Sequence, residues 1–368
     1  MNKVLQNCTF AIALLVTSRG ALVAQETSQR TWGNLQGGEK IVIFTLKNKN
    51  GMEVEVAEYG AILNAIRLPE EGGSKRNVLV SYRGLEEALA GGVKGSVIGR
   101  FANRIDNGGF EIDGTFYKLE SVNPKTKVHI HGGKTGFHRQ KWKGEARPAE
   151  DSASVKLSLV SKDGHEGYPG EVLLSATYTL DNENRLTIDY EGMTNQPTHL
   201  NLTNHAYFNL AGDGDITGHD LTLATKKRLE FDERKIPNGK ILDTAGTIFD
   251  FSRPTRLGER LPLLEGGGYD HCFVISLQEP PGKALTEFAT LTDPESATSM
   301  TVSTNKPGVQ IYTANHFKGN PAPKWGGICF ETQFFPDTPN QSSFPSSLLD
   351  PGEAYLFTTT FEFDWPDS

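Results

Sequence analysis

Cysteine is scarce: Cys8, Cys272 and Cys329 are the three in 368 residues. So few thiols exclude a disulfide framework, and a chain of this length has no need of one. Spacing leaves open whether Cys272 and Cys329 form one disulfide or stay as buried thiols. No long run of Lys and Arg exists, Lys226-Lys227-Arg228 being a triplet, and 37 basic against 45 acidic residues give a formal charge of −8. That argues against nucleic acid as a partner. Beyond the N-terminus no apolar run is long enough to span a bilayer. Strands do not alternate with helices and no fixed-period repeat appears, so neither a parallel α/β sheet nor a solenoid fits.

The N-terminus stands apart. Met1-Asn2-Lys3 is weakly basic, residues 8–16 form a short apolar run, and Ala21-Leu22-Val23-Ala24 follows Arg19-Gly20. Residues 1–24 read as a secretory signal peptide cleaved near Ala24, which directs the protein to the secretory pathway or the exterior. The alternatives are a cytoplasmic location or, if the segment stays uncleaved, a membrane anchor; otherwise no membrane contact is expected. Asn201-Leu202-Thr203 and Asn340-Gln341-Ser342 are formal glycosylation sequons. Asn340, in a loop-like stretch, is the better acceptor.

Glycine (39), Phe (20) and Tyr (10) are plentiful, which suits many short strands joined by tight turns. Strand character recurs at 41–46, 52–57, 155–160, 172–180, 185–191, 221–224, 272–276, 299–303 and 355–363. Turn pairs such as Asn50-Gly51, Asp163-Gly164 and Pro351-Gly352 lie between them. Helical periodicity is local, as at 84–90. The reading is an all-β chain: one large antiparallel β-sandwich over residues 31–368.

Residues 198–210 carry the first chemical signal. At period two, Leu200, Leu202, Ala206, Phe208 and Leu210 fall on one face, with Asn204 as the intruder. Asn201, Thr203, His205, Tyr207 and Asn209 fall on the other. An apolar back with an uncharged hydrogen-bonding front suits a wall facing a polar, uncharged ligand, with one imidazole able to move a proton. In residues 326–337, Ile328, Phe330 and Phe334 share one face while Cys329, Glu331 and Gln333 share the other. A Glu in so apolar a strand costs several kcal/mol if buried alone, so Glu331 is expected to meet a hydrogen-bonding site or ligand. Desolvation would lift its pKa toward the range useful for a base.

Other candidates have ordinary alternatives beside the functional ones. Asn103 and Arg104 offer donors suited to sugar hydroxyls or carboxylates, or Arg104 simply pairs with Asp106 at the surface. His131 precedes Gly132-Gly133, where a ligand can approach closely; His129 shares its expected face, and a structural role is the alternative. A metal site using His138 as well lacks a recognisable ligand set. Asp270 opens a strand or caps a turn. Gln310, opposite the apolar face formed by Val309, Ile311 and Thr313, is matched to hydroxyls or merely solvated.

These segments, in this order, resemble the motif series of the aldose 1-epimerases, the galactose mutarotases. The series comprises residues 99–105, His131-Gly-Gly, residues 164–170, 201–212, Asp270-His271, 307–315 and 331–340, and the resemblance runs from about residue 35 to 365. It implies a β-supersandwich fold of the galactose mutarotase type and an aldohexose substrate. It also implies Glu331 as catalytic base, His205 as catalytic acid, and Asn103, Arg104, His131, Asp270 and Gln310 as sugar-binding residues. The implied chemistry requires no metal and no cofactor. Two other readings are a sugar-binding module without turnover, acting in recognition or trafficking, and an epimerase of hexose 6-phosphates.

Overall fold

A computed structural model describes residues 26–366, apart from positions 148, 280, 283, 320 and 321. The expected signal peptide, residues 1–24, lies outside the described residues. The fold is built on three antiparallel sheets. The first is a meander, Glu26–Asn34, Lys40–Lys47, Glu53–Ala57, Ile62–Pro69 and Lys75–Asn77. It begins at Glu26, ahead of the boundary expected at residue 31. Glu26–Asn34 is almost wholly polar, so only its pairing with Lys40–Lys47 marks it as a strand.

The second sheet has nine strands. In spatial order they are Lys143–Ala146, Ser152–Ser161, Val172–Asp181, Arg185–Thr194, Tyr355–Asp364, Thr298–Thr304, Thr286–Asp293, Asp220–Leu223 and Thr255–Arg256. The third has the order Pro237–Asp243, Lys227–Phe231, Asp270–Val274, Gly308–Tyr312 and Cys329–Gln333. One apolar core joins all three. It takes Val54 and Ile66 from the first sheet, Tyr178, Ile188, Val302 and Phe361 from the second, and Phe273, Val309, Ile311 and Phe330 from the third. The nine segments of strand character each overlap an observed strand and reach at most two residues beyond it, and the one local helical period corresponds to a short helix, Leu85–Leu89.

Residues 198–210 depart from expectation. Every one of them is buried, yet they form no continuous strand. Thr198–His199 pairs with Leu348–Leu349 and Thr203–Asn204 with Val97–Ile98, while Asn201 and Phe208 make isolated bridges. The cause is Asn204. Its amide donates to the Gly95 carbonyl (2.6 Å) and the Tyr178 hydroxyl (3.2 Å) and accepts the Ala206 N–H (3.0 Å). Such side-chain bonds replace a strand ladder and turn the chain. Asn201, expected on the ligand-facing side, instead spends its amide on backbone groups. Its Oδ1 accepts the Phe334 N–H at 2.9 Å and its Nδ2 donates to the Phe334 and Ala102 carbonyls. Buried and bonded, it is no glycan acceptor. Asn340 is half-buried, and its Nδ2 donates to Asp337 Oδ1 (2.7 Å) and Gly109 O (3.2 Å), which occupies the nitrogen a glycan needs.

Candidate active site

The third sheet lays out one side of the site by register alone. Gln310 lies opposite Glu331, and Cys272 lies opposite Gln310. Alternation then puts Asp270 on the same face, two residues from Cys272. Val309, Ile311 and Phe330 point the other way into the core, as the sequence pattern required. Cys272 and Cys329 are both free and buried. The strand Gly308–Tyr312 runs between theirs, so roughly two strand spacings, about 10 Å, rule out a disulfide.

A second group comes from loops. Asn103 and His131 both adopt positive φ, +66° and +54°. They are laced together: the His131 N–H donates to Asn103 O (2.8 Å), and the Asn103 N–H donates to His131 Nδ1 (3.2 Å). Arg104 donates to Asn103 Oδ1 (3.1 Å) and lies 3.8 Å from Asp270 Oδ2. Asp106, its ordinary surface alternative, is taken by Arg234 instead. Asp270 caps no turn. Its Oδ1 accepts the Gln310 amide at 2.6 Å, which leaves Gln310 Oε1 buried and unpaired.

His205 arrives from the broken segment, held by its N–H to Ser96 O (3.0 Å). Its Nε2 lies 3.5 Å from Glu331 Oε1, and both side chains are almost wholly buried. The ring stacks on Tyr207 (centroids 5.1 Å apart) and meets His131 edge-on (5.4 Å). Glu331 Oε2 is buried without a partner. Burial first, then the negative charge of Asp270, pushes the Glu331 carboxyl up to about 8, with Arg104 opposing. Burial pushes the His205 imidazole down to about 4. Burial also holds His131 well below the usual histidine range, helped by His205 and Arg104. All seven residues named from the sequence therefore converge, whereas His129 does not. It is buried, with Nδ1 on Glu120 O at 2.7 Å.

The nitrogen and oxygen atoms of His131, His205 and Glu331 lie within 4.8 Å of one another, close enough for one small cation to bridge. The hydrogen-bond network argues against that. His131 Nδ1 accepts the Asn103 N–H, so the neutral ring carries its proton on Nε2 and offers a donor rather than a lone pair.

Sequence reasoning missed the supports beneath the site. Arg100 is buried, and its guanidinium donates to Pro169 O (2.7 Å), Lys162 O (2.8 Å), Ser161 O (2.9 Å) and Ser161 Oγ (2.9 Å). Glu166 accepts both the N–H and the hydroxyl of Thr135 at 2.6 Å. A Cβ at Gly133 would fall 2.2 Å from Glu166 Oε2, and one at Gly132 1.8 Å from Gly99 O. Residues 99–105, 131–135 and 164–170 thus form one packed unit. The Asp337 N–H bonds to Arg104 O (2.7 Å), and Asp337 Oδ1 accepts the Asp106 N–H (2.9 Å). The only sequence signal for these supports was their place inside the motif series: Arg100 in 99–105, Glu166 in 164–170 and Asp337 in 331–340.

An all-β sandwich that buries a carboxyl against an imidazole, within a ring of uncharged and paired polar groups, defines an acid–base enzyme acting on a polar neutral substrate. Residues 42–362 match the family model described as Aldose 1-epimerase. The chain is 39% identical over 337 residues to a galactose mutarotase of Rattus norvegicus, covering 89% of this chain and 95% of the relative. It is 31% identical over 341 residues to an aldose 1-epimerase of Escherichia coli, covering 89% and 96%. The crystal structure of galactose 1-epimerase from Lactobacillus acidophilus superposes with a TM-score of 0.82 at 28% identity, covering 94% of this chain and all of that one. The chain belongs to the aldose 1-epimerase family. It is an isomerase that interconverts anomers of a sugar.

Proposed function

We propose that Glu331 and His205 carry the two protons of ring opening and closure in an aldohexose, with D-galactose and D-glucose as substrates. The names of the relatives support galactose. The observation that carries the assignment is the 3.5 Å approach of Glu331 Oε1 to His205 Nε2, with both side chains almost wholly buried. Glu331, as carboxylate, takes the proton of the anomeric hydroxyl. His205, as imidazolium, gives its proton to the ring oxygen as the bond from that oxygen to the anomeric carbon breaks. The aldehyde turns about the bond between the first two sugar carbons, and the reverse transfers close the ring on the other face. No proton is gained or lost overall.

Burial favours the uncharged forms of both side chains, and the uncharged pair is the state reached once the ring is open. The charged starting pair is held by mutual attraction and by the sugar. Asn103, Arg104, His131, Asp270 and Gln310 fix the remaining hydroxyls so that only the anomeric end turns.

Polarimetry of freshly dissolved α-D-galactose tests the assignment. Glu331→Gln is expected to lower kcat about 10²–10⁴-fold; an unaltered rate removes Glu331 from its role. Sugar binding by calorimetry without any mutarotation would instead favour the non-catalytic module. Faster turnover of galactose 6-phosphate than of galactose would favour the phosphate epimerase. The pairing of Arg104 with Asp270 speaks against the latter.

Export is a separate part of the proposal and rests on residues 1–24 alone. Among the described residues no helix is long and apolar enough to cross a membrane. N-terminal sequencing of the native protein should find a start after Ala24. An intact Met1 in the cytoplasm refutes export.

A further inference from the structure

We propose that Cys329 is a positioning residue for His205, its sulfur accepting the imidazole Nδ1–H so that Nε2 is the nitrogen exchanging protons beside Glu331. This rests on the reading of His205 as the acid. Cys329 and Glu331 are two residues apart on one strand, Cys329–Gln333, and therefore share a face. The His205 ring lies between them. Its Nδ1 is 3.5 Å from Cys329 Sγ and its Nε2 is 3.5 Å from Glu331 Oε1. A single strand thus addresses both nitrogens of a ring that comes from elsewhere in the chain.

The ring's plane is fixed independently. Tyr207 stacks on it with 27° between the planes, and His131 meets it at 72°. What stacking cannot fix is which nitrogen bears the proton when the ring is neutral. After His205 has protonated the ring oxygen, Nε2 must be bare in order to take that proton back. If the remaining proton sat on Nε2, closure would have no acceptor. A partner at Nδ1 decides this, as in other sites where the second ring nitrogen sets the tautomer.

Sulfur suits the task. Cys329 is fully buried, and burial holds its thiol well above the usual range, so it adds no charge. A carboxylate in its place would hold the imidazolium tightly and oppose proton release. A weak, neutral acceptor orients the ring while leaving it able to lose a proton. Cys272, the other buried thiol, lies two strands away and serves as an internal contrast.

The test uses the full-length protein labelled with ¹⁵N-histidine, with long-range ¹H–¹⁵N spectra recorded near neutral pH. In the wild type the neutral His205 ring is expected to be protonated at Nδ1. In Cys329→Ala the proton should move toward Nε2, with kcat falling roughly tenfold and KM changing less than about twofold. Cys329→Ser retains an acceptor and should restore the Nδ1–H form and most of kcat. A wild-type ring protonated at Nε2 overturns the proposal, as does a Cys329→Ala enzyme with wild-type tautomer and kcat. A serine variant as impaired as the alanine variant also overturns it, since loss of packing would then explain both. Should the alanine variant not fold, the wild-type and serine spectra still decide. Full activity in His205→Ala would remove the acid role of His205, while the tautomer measurement stands on its own.

Discussion

Glu331 is the residue at which stability and chemistry oppose each other. Its carboxyl is almost fully buried, has one oxygen without a partner, and is pushed up to about 8 from an ordinary 4.5. Between those values the unfolded chain is ionised at Glu331 while the folded one is protonated. The folded state therefore binds the extra proton. The resulting stabilisation is fully present below about pH 4.5 and is lost as pH rises through 8. Glu331→Gln has no such proton. Its melting temperature should rise relative to wild type between pH 5 and pH 8, by an amount corresponding to roughly 4 kcal/mol at most. Scanning calorimetry of both proteins across that range measures it. Parallel curves would show that Glu331 is solvated or ionised in the folded state. His205, pushed down to about 4, has the opposite sign. It stabilises above about 6.5 and loses that contribution as pH falls through 4. The comparison with the glutamine variant leaves the His205 effect in both proteins and so isolates Glu331.

Among the elements, legibility depended on what satisfies the backbone. Segments such as 172–180 and 355–363 were readable because their ladders are regular and one face is apolar; they became Val172–Asp181 and Tyr355–Asp364. Residues 198–210 have an equally plain pattern but are bent by the Asn204 amide, a bond that period-two reading does not contain. His205 still reaches the site, because burial of the whole segment against its neighbours, not strand alternation, delivers it. The supporting layer was less legible. Nothing in Gly99-Arg100 tells a buried Arg from a surface one until the carbonyls of residues 161, 162 and 169 are seen converging on it. That convergence makes a prediction. Lys cannot reproduce the guanidinium fork, so Arg100→Lys leaves buried carbonyls unpaired. A loss of about 3–5 kcal/mol in urea denaturation is expected. KM for galactose should rise as well, because Asn103 and Arg104 sit on the loop that Arg100 anchors. A variant with unchanged denaturation midpoint would show that water replaces the guanidinium without loss.

Across the whole molecule, six separate chain segments meet at one point: loops near residues 103 and 131, the segment around 205, and the three sheet strands bearing 270, 310 and 331. Sequence alone supplied each candidate but no distances between them. Only the ordered motif series tied them together, and the register of the third sheet now gives the reason for part of it. The charge distribution carries a consequence of its own. The chain has a formal charge of −8, yet the site itself is close to neutral. Arg104 faces Asp270, and the buried pair Glu331 and His205 tends toward its uncharged form. A site of this kind adds no charge of its own to recruit an ion, and a neutral sugar has no charge on which the field of the whole protein could act. For galactose, kcat/KM should change by less than about twofold between roughly 20 and 500 mM NaCl, since screening alters nothing that binding uses. Galactose 6-phosphate approaches a negative protein, so its kcat/KM should start lower and rise with salt as that repulsion is screened. Polarimetry of both sugars at the two salt concentrations decides. A severalfold fall for galactose at high salt would mean that an exposed ion pair at the site, with Arg104 and Asp270 the first to examine, orders the pocket before the sugar arrives.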